Sequence, residues 1–270
     1  MTAITLCGCG WLGKHMARRR PSTMSVLGTT RTQASAEALR GADIQPLRFS
    51  LGDNPADLAH QSASNPVILN IPPGARKRPL DSDFVSNMLA LIDAFIAAGC
   101  TQLIFISTTA VYGDKEGLVN EKTRVAPITE SGHAHVKIEQ HLLNQYPAIA
   151  TVVRLSGLID SQRHPVHFLA GRHLDKGEQV VNLVHEQDVC AGLFALLAKP
   201  QPGRIFHLTA LEHPKRGDYY PWCAQKKGLE APVFNSDFAR RSAGGKHIDA
   251  QRSWHALGVT LVYPSPYDML

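Results

Sequence analysis

The sequence predicts an α/β fold, a doubly wound parallel sheet carrying a small C-terminal cap. Three observations predict it. Short runs of β-branched and apolar residues alternate with segments of helical periodicity over most of the chain, the signature of repeated β-α-β units. Pro66–Ile71 (PVILNI) is apolar almost throughout, as a parallel strand buried on both faces must be. A glycine-rich turn follows the first strand immediately, where such sheets bring a loop close to a ligand.

Thr2–Leu6 is a short β-branched and apolar run, read as the first strand. Gly8, Gly10 and Gly13 follow at G-x-G-x-x-G spacing, with Lys14–Arg20 helical until Pro21 stops it. In this pattern the first glycine makes the tight turn, the second admits a pyrophosphate and the third lets helix pack on strand. Trp11 and Leu12 open the helix, whose free N–H groups and partial positive charge suit phosphates. Met24–Gly28 is the second strand, followed by Thr29, Thr30 and Arg31. An acidic residue for a ribose 2′-hydroxyl is expected near this point, and none is present. Arg31 can pair with a 2′-phosphate instead, so NADP is favoured over NAD; a solvated turn charge is the alternative.

Ala34–Arg40 reads as helix capped by Gly41, Ile44–Phe49 as strand and Asp53–Gln61 as a short helix with Asp53 as its cap. Pro66–Ile71 leads into Asn70-Ile71-Pro72-Pro73-Gly74, a stiff turn at a strand's carboxyl end where a cofactor can lie. Arg76–Arg78 is a short basic run, solvated or in contact with phosphate. Asp83–Ala98 presents an apolar helical face ended by Gly99. Gln102–Ser107 is the fifth strand, a helix runs from near Gly132 to Gln145, and Ala150–Arg154 is the sixth strand. Asp188–Ala198 is helical and Arg204–Leu208 is the seventh strand. Residues 1–155 and 182–208 thus form the dinucleotide-binding domain. Residues 156–181 and 209–270, the latter irregular around Tyr219-Tyr220-Pro221-Trp222, form the cap. A substrate pocket is expected between the two.

Composition narrows the function classes. The 270 residues are 44% hydrophobic and 19% charged, as in an ordinary globular protein, with a net charge of +5. The basic residues are scattered with no aromatic-interleaved stripe, which argues against nucleic acid. No apolar run reaches membrane-spanning length and no signal-peptide pattern opens the chain. Cys7, Cys9, Cys100, Cys190 and Cys223 lack zinc spacing and fit a reducing cytoplasm; no metal is expected. Cys7 and Cys9 are explained by the need for small side chains in the turn.

Ser107-Thr108-Thr109-Ala110-Val111-Tyr112-Gly113 resembles the S-[ST]-x-x-V-Y-G segment of the extended short-chain dehydrogenase/reductases, the NAD-dependent epimerase/dehydratase family. Gly117–Glu121, Val153–Leu158 and Val181–Val189 resemble further segments of that family in the same order, so the likeness spans about residues 2–210. It implies an NAD(P)-binding Rossmann fold and an NAD(P)-dependent oxidoreductase or epimerase/dehydratase-like activity on a small, anionic or nucleotide-sugar-like substrate. It implies that Thr108 hydrogen-bonds the reacting substrate oxygen. Read on Y-x-x-x-K, Lys137 matches the family lysine that holds the nicotinamide ribose, and the tyrosine position four residues earlier is His133. His133 is then a substitute acid or base, since histidine transfers protons near neutral pH. His135 or His185 acting through a water is another option. Loss of the tyrosine equally suits a catalytically silent NADP-binding regulatory or sensor protein. Gly8, Gly10, Trp11, Leu12, Gly13, Thr30, Arg31, Asn70, Ile71, Pro72 and Lys137 form the expected cofactor site. On the substrate side stand Tyr112, Arg163, Asn182 and His185, with Arg216 nearby. The two long helices serve a homodimer and a monomer equally well.

Overall fold

The computed structural model describes residues 2–74, 79–235 and 244–270. The basic run Arg76–Arg78 lies outside the described residues. Contacts divide the chain into two compact units. The first comprises Met1–Val111, Pro127–Arg154 and Leu193–Phe206; the second comprises Tyr112–Ala126, Leu155–Gly192 and His207–Leu270.

In chain order the elements begin with β1 (Thr2–Cys7), α1 (Trp11–Arg19), β2 (Met24–Thr30), α2 (Gln33–Arg40), β3 (Gln45–Arg48), α3 (Ala56–Gln61) and β4 (Val67–Leu69). Next come α4 (Phe84–Ala97), β5 (Leu103–Thr108), β6 (Gly117–Val119), α5 (Glu130–Gln145), β7 (Ala150–Leu155), β8 (Gly157–Ile159) and α6 (Val166–Leu169). The chain continues through β9 (His173–Leu174), β10 (Leu183–His185), α7 (Glu186–Ala198), β11 (Ile205–Leu208), α8 (Arg216–Lys226), β12 (Val233–Phe234), β13 (Lys246–Ile248) and α9 (Gln251–Leu257).

A seven-stranded sheet in the order β11-β7-β5-β4-β1-β2-β3 is the centre of the fold. β1 pairs in parallel with β2 and β4, β2 with β3, and β4 with β5. Strand order reverses at β1: the chain steps outward to β2 and β3, then crosses back to β4 on the other side. Such a reversal leaves a crevice at the carboxyl ends of the two strands, here β1 and β4. On one face α3, α4 and α5 bury Leu58, Met88, Leu91, Phe95, Ile138 and Leu142 with Val67, Leu69, Leu103 and Phe105 of β4 and β5. Thr32 caps α2 by accepting the Ser35 N–H, and Thr129 caps α5 by accepting that of Gly132.

Two local expectations are corrected. Asp53 does not cap α3, whose first residue is Ala56; its carboxylate accepts the Ser50 N–H at 2.7 Å and so closes the turn ahead of the helix. Around Pro221 the chain is helical rather than irregular, because α8 runs through it. The proline removes one N–H from the ladder, and burial of Tyr219, Tyr220, Cys223 and Ala224 on one face offsets that loss.

The second unit is built from short strands paired across long sequence separations. β6 pairs with β13, β8 with β10 and β9 with β12. Tyr112–Ala126 belongs here, outside the segments expected for a cap, because β6 is held by β13 and Glu121 accepts the Ser253 hydroxyl at 2.5 Å.

Candidate functional site

The β1–α1 turn is held by β2 and β4. The Gly8 N–H donates to Thr29 Oγ1 at 2.7 Å, the Cys9 N–H to the Thr29 carbonyl at 3.1 Å, and the Asn70 N–H to the Cys7 carbonyl at 2.7 Å. Gly8 has φ +86°, and a Cβ placed on it would stand 2.4 Å from the Asn70 carbonyl oxygen, so no other residue fits. At Gly13 a Cβ would reach Cys9 Sγ at 3.0 Å, and at Gly28 it would meet Ile44 Cγ2 at 2.8 Å and the same sulfur at 3.0 Å. Cys9 therefore fills the space that those two glycines vacate. Burial pushes its thiol up to about 11 and that of Cys7 to about 12, so both stay protonated, inert packing groups.

Gly10 is different. It is exposed, and a Cβ on it would find nothing nearer than the Gly8 carbonyl oxygen at 4.0 Å. Protein packing does not require a glycine there; the room lies open above the start of α1, whose first N–H groups have no intrahelical acceptor. An anion seated on this turn would use that room. Leu12 is buried on the strand side of α1, while Trp11 is partly exposed. Around the turn stand half-buried Thr30, exposed Arg31, half-buried Asn70 and Ile71, and exposed Pro72. The Asn70 Nδ2 donates to the Gly8 carbonyl at 3.4 Å, which ties the end of β4 to the turn.

Thr108 ends β5, half-buried, its Oγ1 accepting the Ala110 N–H at 3.1 Å. α5 lies against this strand. A Cβ on Gly132 would be 3.3 Å from the Ala110 carbonyl oxygen, and seven residues on Glu139 accepts the Ser107 hydroxyl at 2.5 Å. The helix thus buries Gly132, Ala134, His135, Ile138, Glu139 and Leu142. His133 and Lys137 are not on that face. They are exposed along one stripe with Gln140 and Asn144. At about 100° per residue, that stripe points away from β5. His133 and Lys137 thus face solvent rather than the packed side of α5. The i, i+4 pair on the inner side is Ser131 and His135.

His135 is buried and stacks on Phe105 of β5, ring centroids 5.7 Å apart and planes at 29°. Its Nδ1 lies 2.7 Å from the Ser131 carbonyl oxygen, which accepts only, so Nδ1 carries the proton. Burial lowers its pKa from the ordinary 6.5, outweighing the Ser131 hydrogen bond and the charge of Glu139. Beside it Glu139 pairs with Arg154 of β7, with Nε donating to Oε1 at 3.1 Å and Nη2 to Oε2 at 2.5 Å, both side chains almost fully buried.

The second unit holds the residues expected on the substrate side, and most are engaged in its own architecture. Tyr112 is fully buried, its hydroxyl 2.6 Å from His207 Nε2 and 3.2 Å from the Asn120 carbonyl. The Asn182 amide donates to the Lys246 carbonyl at 2.9 Å and accepts the Ile248 N–H at 3.0 Å, fastening β13. His185 is buried, accepts the Gln187 N–H at Nδ1 and lies against Tyr263 at 3.9 Å. Asp188 holds the C-terminal segment by accepting the N–H groups of Val262 and Tyr263 at 2.8 and 3.0 Å. Arg163 is exposed on a turn closed by Asp160; Arg216 is partly buried over the Phe234 ring at 5.8 Å. Tyr112 and Asn182 thus hold the framework of this unit. Among the described residues no three His, Cys, Asp or Glu side chains are grouped to hold a metal, and no helix is long and apolar enough to cross a membrane.

Residues 6–209 match the NAD dependent epimerase/dehydratase family. The chain belongs to this family. It is 35% identical to Protein YeeZ of Escherichia coli K12 over 274 residues, covering 100% of this chain and 99% of that protein. A conserved protein of unknown function from Silicibacter pomeroyi has a similar structure, with a TM-score of 0.78 at 26% identity over 98% of this chain and 95% of the other. UDP-glucuronic acid 4-epimerase from Bacillus cereus, solved with NAD, superposes with a TM-score of 0.78 at 17% identity over 97% and 94% of the two chains. That likeness is one of fold.

Within this family fold, the residue pattern did not specify three features: that His135, weighed only as a group acting through a water, turns inward onto Phe105, the buried Glu139–Arg154 pair, and its link to Ser107. A signal for the first was present. Ala134, Ile138 and Leu142 form an i, i+4, i+8 apolar stripe that marks the buried face and sets His135 beside it.

Proposed function

We propose that this chain binds a nicotinamide dinucleotide on the Gly8–Gly13 turn and is an oxidoreductase or epimerase of its family. Its substrate would be a hydroxyl-bearing, anionic compound such as a nucleotide sugar. The observation that carries the binding reading is Gly10: an exposed glycine whose missing side chain no protein atom demands, above the open N-terminus of α1. When bound, the nicotinamide supplies hydride transfer. The N–H groups of Trp11 and Leu12 would hold the pyrophosphate, and Asn70, Ile71 and Pro72 would line the crevice at the end of β4. Exposed Arg31, with no carboxylate after β2 to repel a 2′-phosphate, supports NADP as the preferred form; the NAD-bound neighbour keeps NAD a full alternative. Thr108 would present its hydroxyl to the reacting substrate oxygen. The substrate class is supported by the UDP-sugar acid in the name of the structural neighbour and by exposed Arg163, whose guanidinium suits phosphate or carboxylate.

A second reading has its own support. With His133 and Lys137 facing outward, the inner pair of α5 carries no phenol and no ammonium group. That favours a dinucleotide-binding protein that senses or regulates without turnover. One experiment separates the readings. Purified protein is titrated with NADPH and NADH, as wild type, Gly10→Val and Arg31→Ala, and then assayed for turnover on UDP-glucose and UDP-glucuronic acid. Binding abolished by Gly10→Val supports the turn as the site, and a selective loss of NADPH in Arg31→Ala supports NADP. Turnover selects the enzyme. Binding of neither dinucleotide would overturn both readings.

A further inference from the structure

We propose that Thr29 is the positioning residue of the β1–α1 turn: its side-chain oxygen holds Gly8, and with it the turn, in the binding shape before any cofactor arrives. This rests on the reading above that the turn binds a nicotinamide dinucleotide. On β2 the expected cofactor residues begin one position later, at Thr30.

The backbone hydrogen bonds of the turn converge on this residue. Leu6 and Gly28 are the last position at which β1 pairs with β2. Two residues on, Gly8 takes φ +86° and leaves the ladder, so its N–H finds a side chain instead of a strand carbonyl. Thr29 Oγ1 accepts it at 2.7 Å. The Thr29 carbonyl accepts the next N–H, that of Cys9, at 3.1 Å. The Gly8 carbonyl in turn accepts the Gly10 N–H at 2.7 Å. Intrahelical bonding then begins with the Lys14 N–H on the Gly10 carbonyl at 3.0 Å, so the start of α1 hangs directly from these three residues. One residue of β2 thereby takes two consecutive N–H groups of the turn.

The hydroxyl is held in its accepting orientation. Thr29 is only 4% exposed, and its single proton is directed at the Cys7 sulfur, 3.9 Å away, which leaves the oxygen lone pairs to Gly8. Cys7 closes β1, and its carbonyl accepts the N–H of Asn70, just after β4, at 2.7 Å. Gly8 is therefore gripped from both neighbouring strands, by Thr29 on its N–H and by the Asn70 amide on its carbonyl at 3.4 Å. The Thr29 bond is much the shorter of the two.

An N–H that loses such an acceptor must turn elsewhere. Without Oγ1 the Gly8 peptide is free to rotate, and a ligand must order the turn itself, which weakens binding. Valine keeps the branched shape that suits a strand but lacks the acceptor, whereas serine keeps the acceptor.

The test uses full-length protein with NADH and NADPH as probes and affinity measured by calorimetry. Labelling with 13C′-cysteine and 15N-glycine isolates two amides, because glycine follows cysteine only at Gly8 and Gly10; the Gly10 signal is the one lost in Gly10→Ala. In free wild type the Gly8 amide should exchange slowly with solvent and gain little further protection when cofactor binds. Thr29→Val should bind the preferred dinucleotide about tenfold more weakly and open Gly8 to exchange, while Thr29→Ser should stay within about twofold of wild type. Thr151→Val, which removes a buried hydroxyl bonded to the Gln201 carbonyl at 2.8 Å on β7, should bind as wild type. A Gly8 amide that is unprotected in free wild type and ordered only by cofactor overturns the proposal, whether or not any variant folds. So does Thr29→Val binding as tightly as wild type, or Thr29→Ser binding as weakly as Thr29→Val. If wild type binds neither dinucleotide, the reading beneath the proposal falls and takes the proposal with it; a protected Gly8 amide then shows that the turn still has the described shape.

Discussion

The turn after β1 and the helix α5 both carry a short spaced motif, and they answered to the sequence differently. In the turn the three glycines are separated by fixed lengths of non-repeating backbone, so spacing alone determines what each one meets: Gly8 the Asn70 carbonyl, Gly13 the Cys9 sulfur, Gly10 open space. On α5 a four-residue spacing says only that two side chains share a stripe. Which stripe faces the sheet is a question of phase. His133/Lys137 and Ser131/His135 have identical spacing, yet the first pair is exposed and His135 is buried against Phe105. A loop motif is read by position; a helix motif must be read by position and by phase.

The comparison can be broken or sharpened at several places. The largest effect is expected at Glu139→Ala, which leaves the Arg154 guanidinium buried without its carboxylate and should cost about 3–5 kcal/mol in urea unfolding. A loss below about 1 kcal/mol would mean that the inner face of α5 is not packed as described. Gly8→Ala comes next. Left-handed backbone and a Cβ 2.4 Å from a carbonyl oxygen should together cost about 2–4 kcal/mol, read from thermal or urea denaturation.

A pH effect follows from the buried histidines. Burial holds His135 below 6.5 and His164 down to about 4, so the unfolded chain takes up protons that the folded one resists. Their contribution is intact above about pH 6.5 and is lost as the pH falls towards 4. Unfolding free energies measured across that range should decline, and His135→Phe should flatten part of the decline. An unchanged slope in that variant would place His135 in water.

The smallest effect belongs to the outer stripe. His133→Ala and Lys137→Ala should each change stability by no more than about 0.5 kcal/mol in urea unfolding. A loss above about 1 kcal/mol in either variant would reverse the assignment of faces.

Much of the first unit was legible because its signals are local. Most strands of the main sheet are largely apolar runs, and each observed boundary lies within a few residues of the pattern that marks it. The second unit was less legible for the opposite reason. β6 and β13, at Gly117–Val119 and Lys246–Ile248, are three residues each and find each other across more than a hundred positions. Neither carries a run long enough to announce a strand. Tyr112 shows the same limit within a family motif: the residue type was recognisable, but only the fold shows its hydroxyl committed to His207.

By itself the sequence determined the alternating α/β plan, the glycine turn with its distinct glycine roles, and membership of the epimerase/dehydratase family. These rest on periodicity and on residue types that act over a few positions. Only the tertiary structure decided which face of α5 meets β5, that Glu139 and Arg154 pair in the core, and that Tyr112 and Asn182 hold the framework. Those outcomes depend on partners distant in the chain, and burial against a distant partner, not spacing along the chain, sets the direction in which a side chain points.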